Sequence, residues 1–276
     1  MALKDLLVHV DDDDACTTRI DVAVTLAARH EAHLTGLHVM AWPHLPGYIE
    51  SQLPPAFHEE RRHELGERAR RAATRFHDGA HRGGLTPEWR TAEGDVLATV
   101  GLHARYADLT VLGQGVDLRD PSGELAWLPE ELVLGVGRPV LIVPRYGTFP
   151  TVGERVLIAW NGSREATRAV NDALPVLRRA AAVTVLSIDA AGEPHRRVPG
   201  ADIALHLARH GIRAEVSSTR SVDLPVGDVL LSFAADCGAD LLVMGAYGHS
   251  RLREMLLGGA TRHLLQHMTV PVLMSH

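Results

Sequence analysis

Lysine is almost missing from this sequence. Lys4 is the single lysine, and every other strong base is an arginine. A phosphate loop of the Gly-Lys-Ser/Thr kind therefore cannot form. A Schiff-base lysine is nearly excluded as well, because Lys4 stands at the mouth of the first expected strand. Cysteine is also scarce: Cys16 and Cys237 fall one in each half, which reads as two reduced thiols rather than a disulfide framework. No apolar run reaches the roughly 20 residues a membrane-spanning helix needs. Met1 to Asp5 enters a strand pattern at once and carries no secretion signal, so a cytoplasmic protein with no membrane partner is expected. With a net charge of −6 and a pI near 6.3, no basic surplus advertises nucleic acid. Any phosphate chemistry must run on backbone amides, arginines or a metal.

What is present is a repeat. The chain has 276 residues, 46% of them hydrophobic and 22% charged, which makes two globular domains the natural expectation. Short β-branched runs alternate with helical patterns. In the first half, strands are expected at 6–10, 33–39, 87–91, 109–112 and 139–143, with helices at about 15–31, 57–81 and 95–106. The second half begins again with a strand at 156–160, a helix at 166–179 and a strand at 183–188. Gly94-Asp95-Val96-Leu97 recurs as Gly227-Asp228-Val229-Leu230, and Ala107-Asp108-Leu109 recurs as Ala239-Asp240-Leu241. Pro139-Val140-Leu141 recurs as Pro271-Val272-Leu273. Three matches in the same order at offsets of 132 or 133 residues mark an internal duplication. Alternating β and α implies parallel sheets covered by helices on both faces. Residues 144–153, with two prolines and two glycines, read as the linker, giving domains at 1–147 and 151–276.

The most informative segment follows the fourth strand of the second half. Gly245, Gly248, Gly258 and Gly259 lead through Ala260 and Thr261 into a helix at 261–267. Ligands of open parallel sheets bind beyond the carboxyl ends of the strands. Glycines there let backbone amides approach a phosphate, and a helix N-terminus adds partial positive charge. Two tight turns and a helix cap by Thr261 would explain the same residues structurally.

The spacing Gly245-x2-Gly248-x9-Gly258 is similar to the nucleotide loop of ATP-binding universal stress proteins, and the duplicated Gly-Asp and Ala-Asp-Leu steps resemble that family over nearly the whole chain. The resemblance implies an α/β fold of two tandem doubly wound parallel-sheet domains, with flavodoxin-like or adenine-nucleotide-hydrolase-like strand order. It maps a ribose contact to Gly245 and phosphate contacts to Gly248, Gly258, Gly259 and Ala260. It puts an acid position at Asn161 and an apolar base contact at Ile188. It also implies ATP, ADP or AMP as ligand, with Mg²⁺ as an option, and pairing of the two halves across their last strands (141–143 with 272–274). Further homodimerisation is left open. Two positions depart from the pattern: Gly259 stands where a hydroxyl is expected, with Thr261 nearby, and Asn161 carries no charge.

The first half keeps acids after its first strand, Asp11 to Asp14, but has lost the loop. Gly113-Gln114-Gly115 runs into an acidic stretch holding Asp117, Asp120, Glu124, Glu130 and Glu131, which would repel a triphosphate. Asp11 to Asp14 could hold Mg²⁺, or cap a helix whose first turn is acidic. Seventeen histidines include the i, i+4 pairs His77/His81 and His263/His267, yet no third ligand stands in register. Ser163 reads as an N-cap rather than a nucleophile. Residues 41–57, apolar and proline-rich, could pack on the neighbouring domain or form a lid. No catalytic constellation is found, so hydrolysis of ATP would at most be slow. The alternatives are an interaction scaffold of the same fold and, more weakly, an enzyme using His249, Ser250 or Thr261.

Overall fold

The computed structural model describes residues 2–41, 54–115, 128–190, 200–221, 224–246 and 260–276. The first half contains β1 (Asp5–His9), α1 (Cys16–His30), β2 (His33–Met40), α2 (Pro55–Arg82) and β3 (Glu88–Glu93). It continues with α3 (Val96–Ala104), β4 (Leu109–Gly113), α4 (Leu128–Gly135) and β5 (Val140–Val143). The second half contains β6 (Arg155–Ala159), α5 (Arg164–Leu177), β7 (Ala182–Ala190), α6 (Gly200–Arg209) and β8 (Glu215–Ser221). It closes with α7 (Val226–Asp236), β9 (Leu241–Gly245), α8 (Ala260–His267) and β10 (Val272–Ser275).

All ten strands join one sheet in the order β3-β2-β1-β4-β5-β10-β9-β6-β7-β8. Every pairing within a half is parallel. The central strands are buried on both faces, which is why they read as unbroken apolar runs such as Val140–Val143. One core lies under α1, α2, α5 and α6, and a second under α3, α4, α7 and α8; both run across the two halves. Among the described residues no helix is long and apolar enough to cross a membrane.

The halves meet where the last strands were expected to meet. β5 and β10 pair antiparallel, with Ile142 opposite Val272, Leu141 opposite Leu273 and Val140 opposite Met274. The joint is reinforced at both ends of the sheet. Arg29 in the last turn of α1 donates to the Arg179 carbonyl, and Arg179 after α5 donates to the Arg29 carbonyl. Two arginines 150 positions apart thus satisfy each other's helix C-termini reciprocally. At the other end the Gln114 amide donates to the Leu265 and Gln266 carbonyls, at 2.8 and 3.1 Å.

The repeated Ala-Asp-Leu step has a physical cause. The Asp108 carboxylate accepts from the Lys4 and Asp5 amides, and Asp240 accepts from those of Gly153, Glu154 and Arg155. Each aspartate caps the entry of the strand beside it, where backbone donors would otherwise lack partners. The Gly-Asp-Val-Leu repeat does not mean the same thing twice. Asp95 caps α3 through the Ala98 amide at 2.7 Å, whereas Asp228 lies inside the first turn of α7 and binds His263. Helix α4 is a further difference, because no helix was expected between β4 and β5. Pro129 tolerates a first helical turn, and Leu128, Leu132 and Val133 are buried.

Candidate functional site

In each half the chain reverses its direction of travel across the sheet once. β7 and β8 are laid outward from β6, and β9 then returns to the far side of β6. The reversal leaves a crevice above the carboxyl ends of β6 and β9, where open α/β sheets bind ligands. The first half does the same between β1 and β4.

In the second half, Asn161 follows β6 and its Oδ1 accepts the Ser163 amide at 3.0 Å, closing a small turn. Ser163 then caps α5, its Oγ accepting from the Ala166 amide at 3.1 Å, as its position predicts. The Asn161 carbonyl is thus committed to the turn, and what it can still offer a ligand is its amide donor. Gly245 ends β9 directly beneath that helix start. A Cβ at Gly245 would lie 2.4 Å from both the Ala166 nitrogen and the Glu165 carbonyl carbon. Only glycine lets the first turn of α5 settle on β9, whatever binds above it. Ile188 sits on the adjacent strand β7, two residues past Leu186, the partner of Ala159, and packs half-buried on the second core. Asn161, Ile188 and Gly245 therefore stand at the same end of three neighbouring strands.

Helix α8 begins at Ala260, so buried Thr261 lies inside its first turn and is not the cap expected for it. His263 Nε2 meets Asp228 Oδ1 at 2.7 Å, and His267 Nδ1 meets the His263 carbonyl at 2.8 Å. Gly248, Gly258 and Gly259 lie outside the described residues, as do His249 and Ser250 and the greater part of the expected lid at 41–57.

One residue of this crevice escapes a reading of the sequence. Glu165 is buried in the first turn of α5, and its Cβ would lie 2.8 Å from a Cβ at Gly245. Burial alone would push its carboxyl up. Its own backbone amide, Arg164 and His276 outweigh that and hold it below the usual carboxylate range. His276 reaches the same corner, with Nδ1 3.0 Å from the Ala246 carbonyl. The Ser163 cap was the available signal, since it places Glu165 in a helical first turn, where acids are favoured.

The crevice of the first half holds its own side chain. Arg19 rises from α1, only 3% exposed, and Nη2 contacts both oxygens of Asp11 at 2.8 and 2.9 Å. Its guanidinium lies against Gly113, so close that a Cβ there would stand 3.2 Å from Cζ. Asp11 makes the same turn as Asn161, accepting the Asp13 amide at 3.1 Å. Burial opposes ionisation of Asp11, but the charges of Arg19 and His9 and the two hydrogen bonds to it prevail, and its pKa falls. Arg145 pairs with the Asp13 carboxylate, Arg75 donates to the Asp13 carbonyl at 2.9 Å, and Arg68 lies 3.5 Å from Asp12. Arginines thus meet three of the four acids. The acidic run does not open α1 as expected: the helix starts at Cys16 after Ala15, with no side-chain cap. His9, also buried here, is pushed down to about 4 by burial; Asp11 opposes the shift, and Arg19 and His38 add to it.

Two five-stranded parallel sheets of one strand order, joined through an antiparallel pair and each with a crevice at its reversal point, define a doubly wound α/β protein of the flavodoxin-like, nucleotide-hydrolase-like class. Residues 153–276 match the model of the Universal stress protein family. The universal stress protein Slr1230 of Synechocystis sp. is 26% identical over 172 residues, 60% of this chain. The match spans 57% of that relative's length. The fold is shared with a universal stress protein from Archaeoglobus fulgidus at a TM-score of 0.78 and 15% identity, covering 98% of this chain and 96% of that one. It is shared as well with the functionally unknown protein PA1789 from Pseudomonas aeruginosa, at a TM-score of 0.59 and 16% identity over 99% and 92% of the two chains.

Proposed function

We propose that this chain binds ATP or a related adenine nucleotide, ADP or AMP, in the crevice of its second half and acts as a cytoplasmic stress-response or signalling protein. The observation that carries the reading is the origin of the glycine spacing. The stretch Gly245-x2-Gly248-x9-Gly258 starts at the carboxyl end of β9, beside the reversal point, and precedes α8 in the sequence. Amides of such a loop and a helix N-terminus form a phosphate cradle that needs no lysine. Micromolar affinity requires about 8 kcal/mol net. Three or four charge-assisted hydrogen bonds of about 1.5–3 kcal/mol each, with a buried base, supply it. The residues assigned to the ligand are Asn161, Ile188, Gly245, Gly248, Gly258, Gly259, Ala260 and Thr261. Glu165, in the first turn of α5, is the carboxylate assigned in this reading to share a Mg²⁺ with the phosphates, in the way such ions are bound through one carboxylate and substrate oxygens.

The domains in this reading are residues 1–147 and 151–276, and the first takes no nucleotide because Arg19 already lies in its crevice. β5 and β10 are spent on each other, so a homodimer would use a different surface.

Titration calorimetry of Mg²⁺-ATP into nucleotide-free protein tests the proposal, alongside a Gly248→Asp, Gly258→Asp double variant. Micromolar binding of one nucleotide per chain, weakened at least 100-fold in the variant, is the expected result. A folded wild type that takes up no ATP, ADP or AMP overturns it. The scaffold reading, which the committed Asn161 carbonyl favours, would then stand.

A further inference from the structure

We propose that the seam between the two halves carries an anion site at the amino-terminal end of the sheet, where it takes a small phosphate-class oxyanion. The place is an open pocket of about 170 Å³ whose polar lining is Lys4, His30, Glu31, Arg178 and Arg179. It lies where β1 begins and where α1 and α5 end, at the opposite edge of the sheet from both crevices.

Two independent observations point to a ligand. The first is uncompensated charge. Among the described residues, Lys4, Arg178 and Arg179 have no carboxylate partner: Arg178 is 3.4 Å from His210 Nδ1, and Arg179 donates to a carbonyl. Glu31 is the only acid of the lining, so three cations face one anion. The second is His30. It is 95% buried, being 5% exposed, it forms part of the cavity wall, and its Nε2 has no hydrogen-bond partner. Buried polar atoms are ordinarily satisfied, and an orphan calls for a missing partner.

The helix ends explain part of this arrangement. C-terminal carbonyls favour cations, and Arg29 and Arg179 serve them directly. They give no reason for Lys4, which is on neither helix, or for the orphan imidazole nitrogen. An oxyanion accounts for both: it accepts from the ammonium and guanidinium groups around it, and a small turn of the enclosed His30 ring brings its Nε2–H within reach. The histidine also registers the local field: burial, then Arg179 and Arg29, push it down to about 4.

The test uses the full chain and inorganic phosphate, followed by calorimetry and by the His30 ring resonances in NMR spectra. Lys4→Gln with Arg178→Gln alters two exposed side chains that hold no structural contact to a carboxylate. Saturable phosphate binding, at least tenfold weaker in this double variant and accompanied by a shift of the His30 resonances, is expected. The Gly248→Asp, Gly258→Asp protein should bind phosphate here unchanged, which separates this site from the nucleotide loop. Absence of saturable binding, indifference to the Lys4/Arg178 substitutions, or loss in the glycine variant would each overturn the proposal.

Discussion

Above β1 and β4 the reversal point is lined by Arg19; above β6 and β9 the position 150 residues later is Ala169, fully buried against the sheet. The turns that frame the two crevices are alike, with Asp11 and Asn161 each holding the amide two residues ahead. What differs is the contact pressed against the final glycine of the fourth strand. For Gly113 it is a guanidinium, and for Gly245 it is the backbone of a helix start. One crevice is completed from within by an ion pair. The other meets, at Gly245, the backbone of a helix start. The exchange of alanine for arginine on the inner face of a helix accompanies the loss of the glycine loop in the first half.

Breaking the ion pair should give the largest effect. Arg19→Met leaves the part-buried Asp11 carboxylate without its partner, and a loss of about 3 kcal/mol, the lower end for a buried pair, is expected from urea unfolding. Adding Asp11→Asn should recover most of it, because replacing both members of a buried pair is often nearly neutral. Ala169→Met, by contrast, tests only packing in the second half.

Acid should single out the first crevice next. His9 titrates near 6.5 when unfolded but is pushed down to about 4 in the fold. The unfolded chain therefore binds the proton more readily. Its contribution is fully present above pH 6.5 and is lost as the pH falls toward 4, about 3 kcal/mol in all. Denaturation midpoints at pH 7 and 4.5 should differ less in a His9→Phe variant than in the wild type.

The smallest contrast is the sharpest. Gly245→Ala places a methyl 2.4 Å from backbone that cannot yield without moving α5, whereas Gly113→Ala meets the side chain of Arg19 at 3.2 Å. A cost of about 1–3 kcal/mol is expected at Gly245 and visibly less at Gly113, read as the shift of thermal midpoint in each variant.

Much of this architecture was legible in the residues because it rests on period and composition. Buried parallel strands write themselves as short β-branched runs, and a duplicated course writes itself twice. The Ser163 cap follows from such local marks, whereas the joint between β5 and β10 was what the family resemblance implied. Side chains that meet across long stretches of chain leave weaker ones. Arg19 stands on the apolar stripe of α1 with Cys16, Ile20 and Ala23, and an arginine on that stripe was the available sign that a carboxylate waits opposite it. Glu165 was hidden by attention to Asn161 and Ser163 before it. The Gly-Asp-Val-Leu repeat misled in the other direction: equal letters at Asp95 and Asp228 serve a cap in one case and a histidine contact in the other.

The antiparallel seam between β5 and β10 has a consequence for how the protein behaves on dilution. Two separate domains would have to find each other, and their pairing would fail below the dissociation constant of the complex. Here residues 144–154 tether the partners, and their effective concentration, of millimolar order for short linkers, no longer depends on how much protein a cell contains. The paired state is thus as persistent in a scarce protein as in an abundant one.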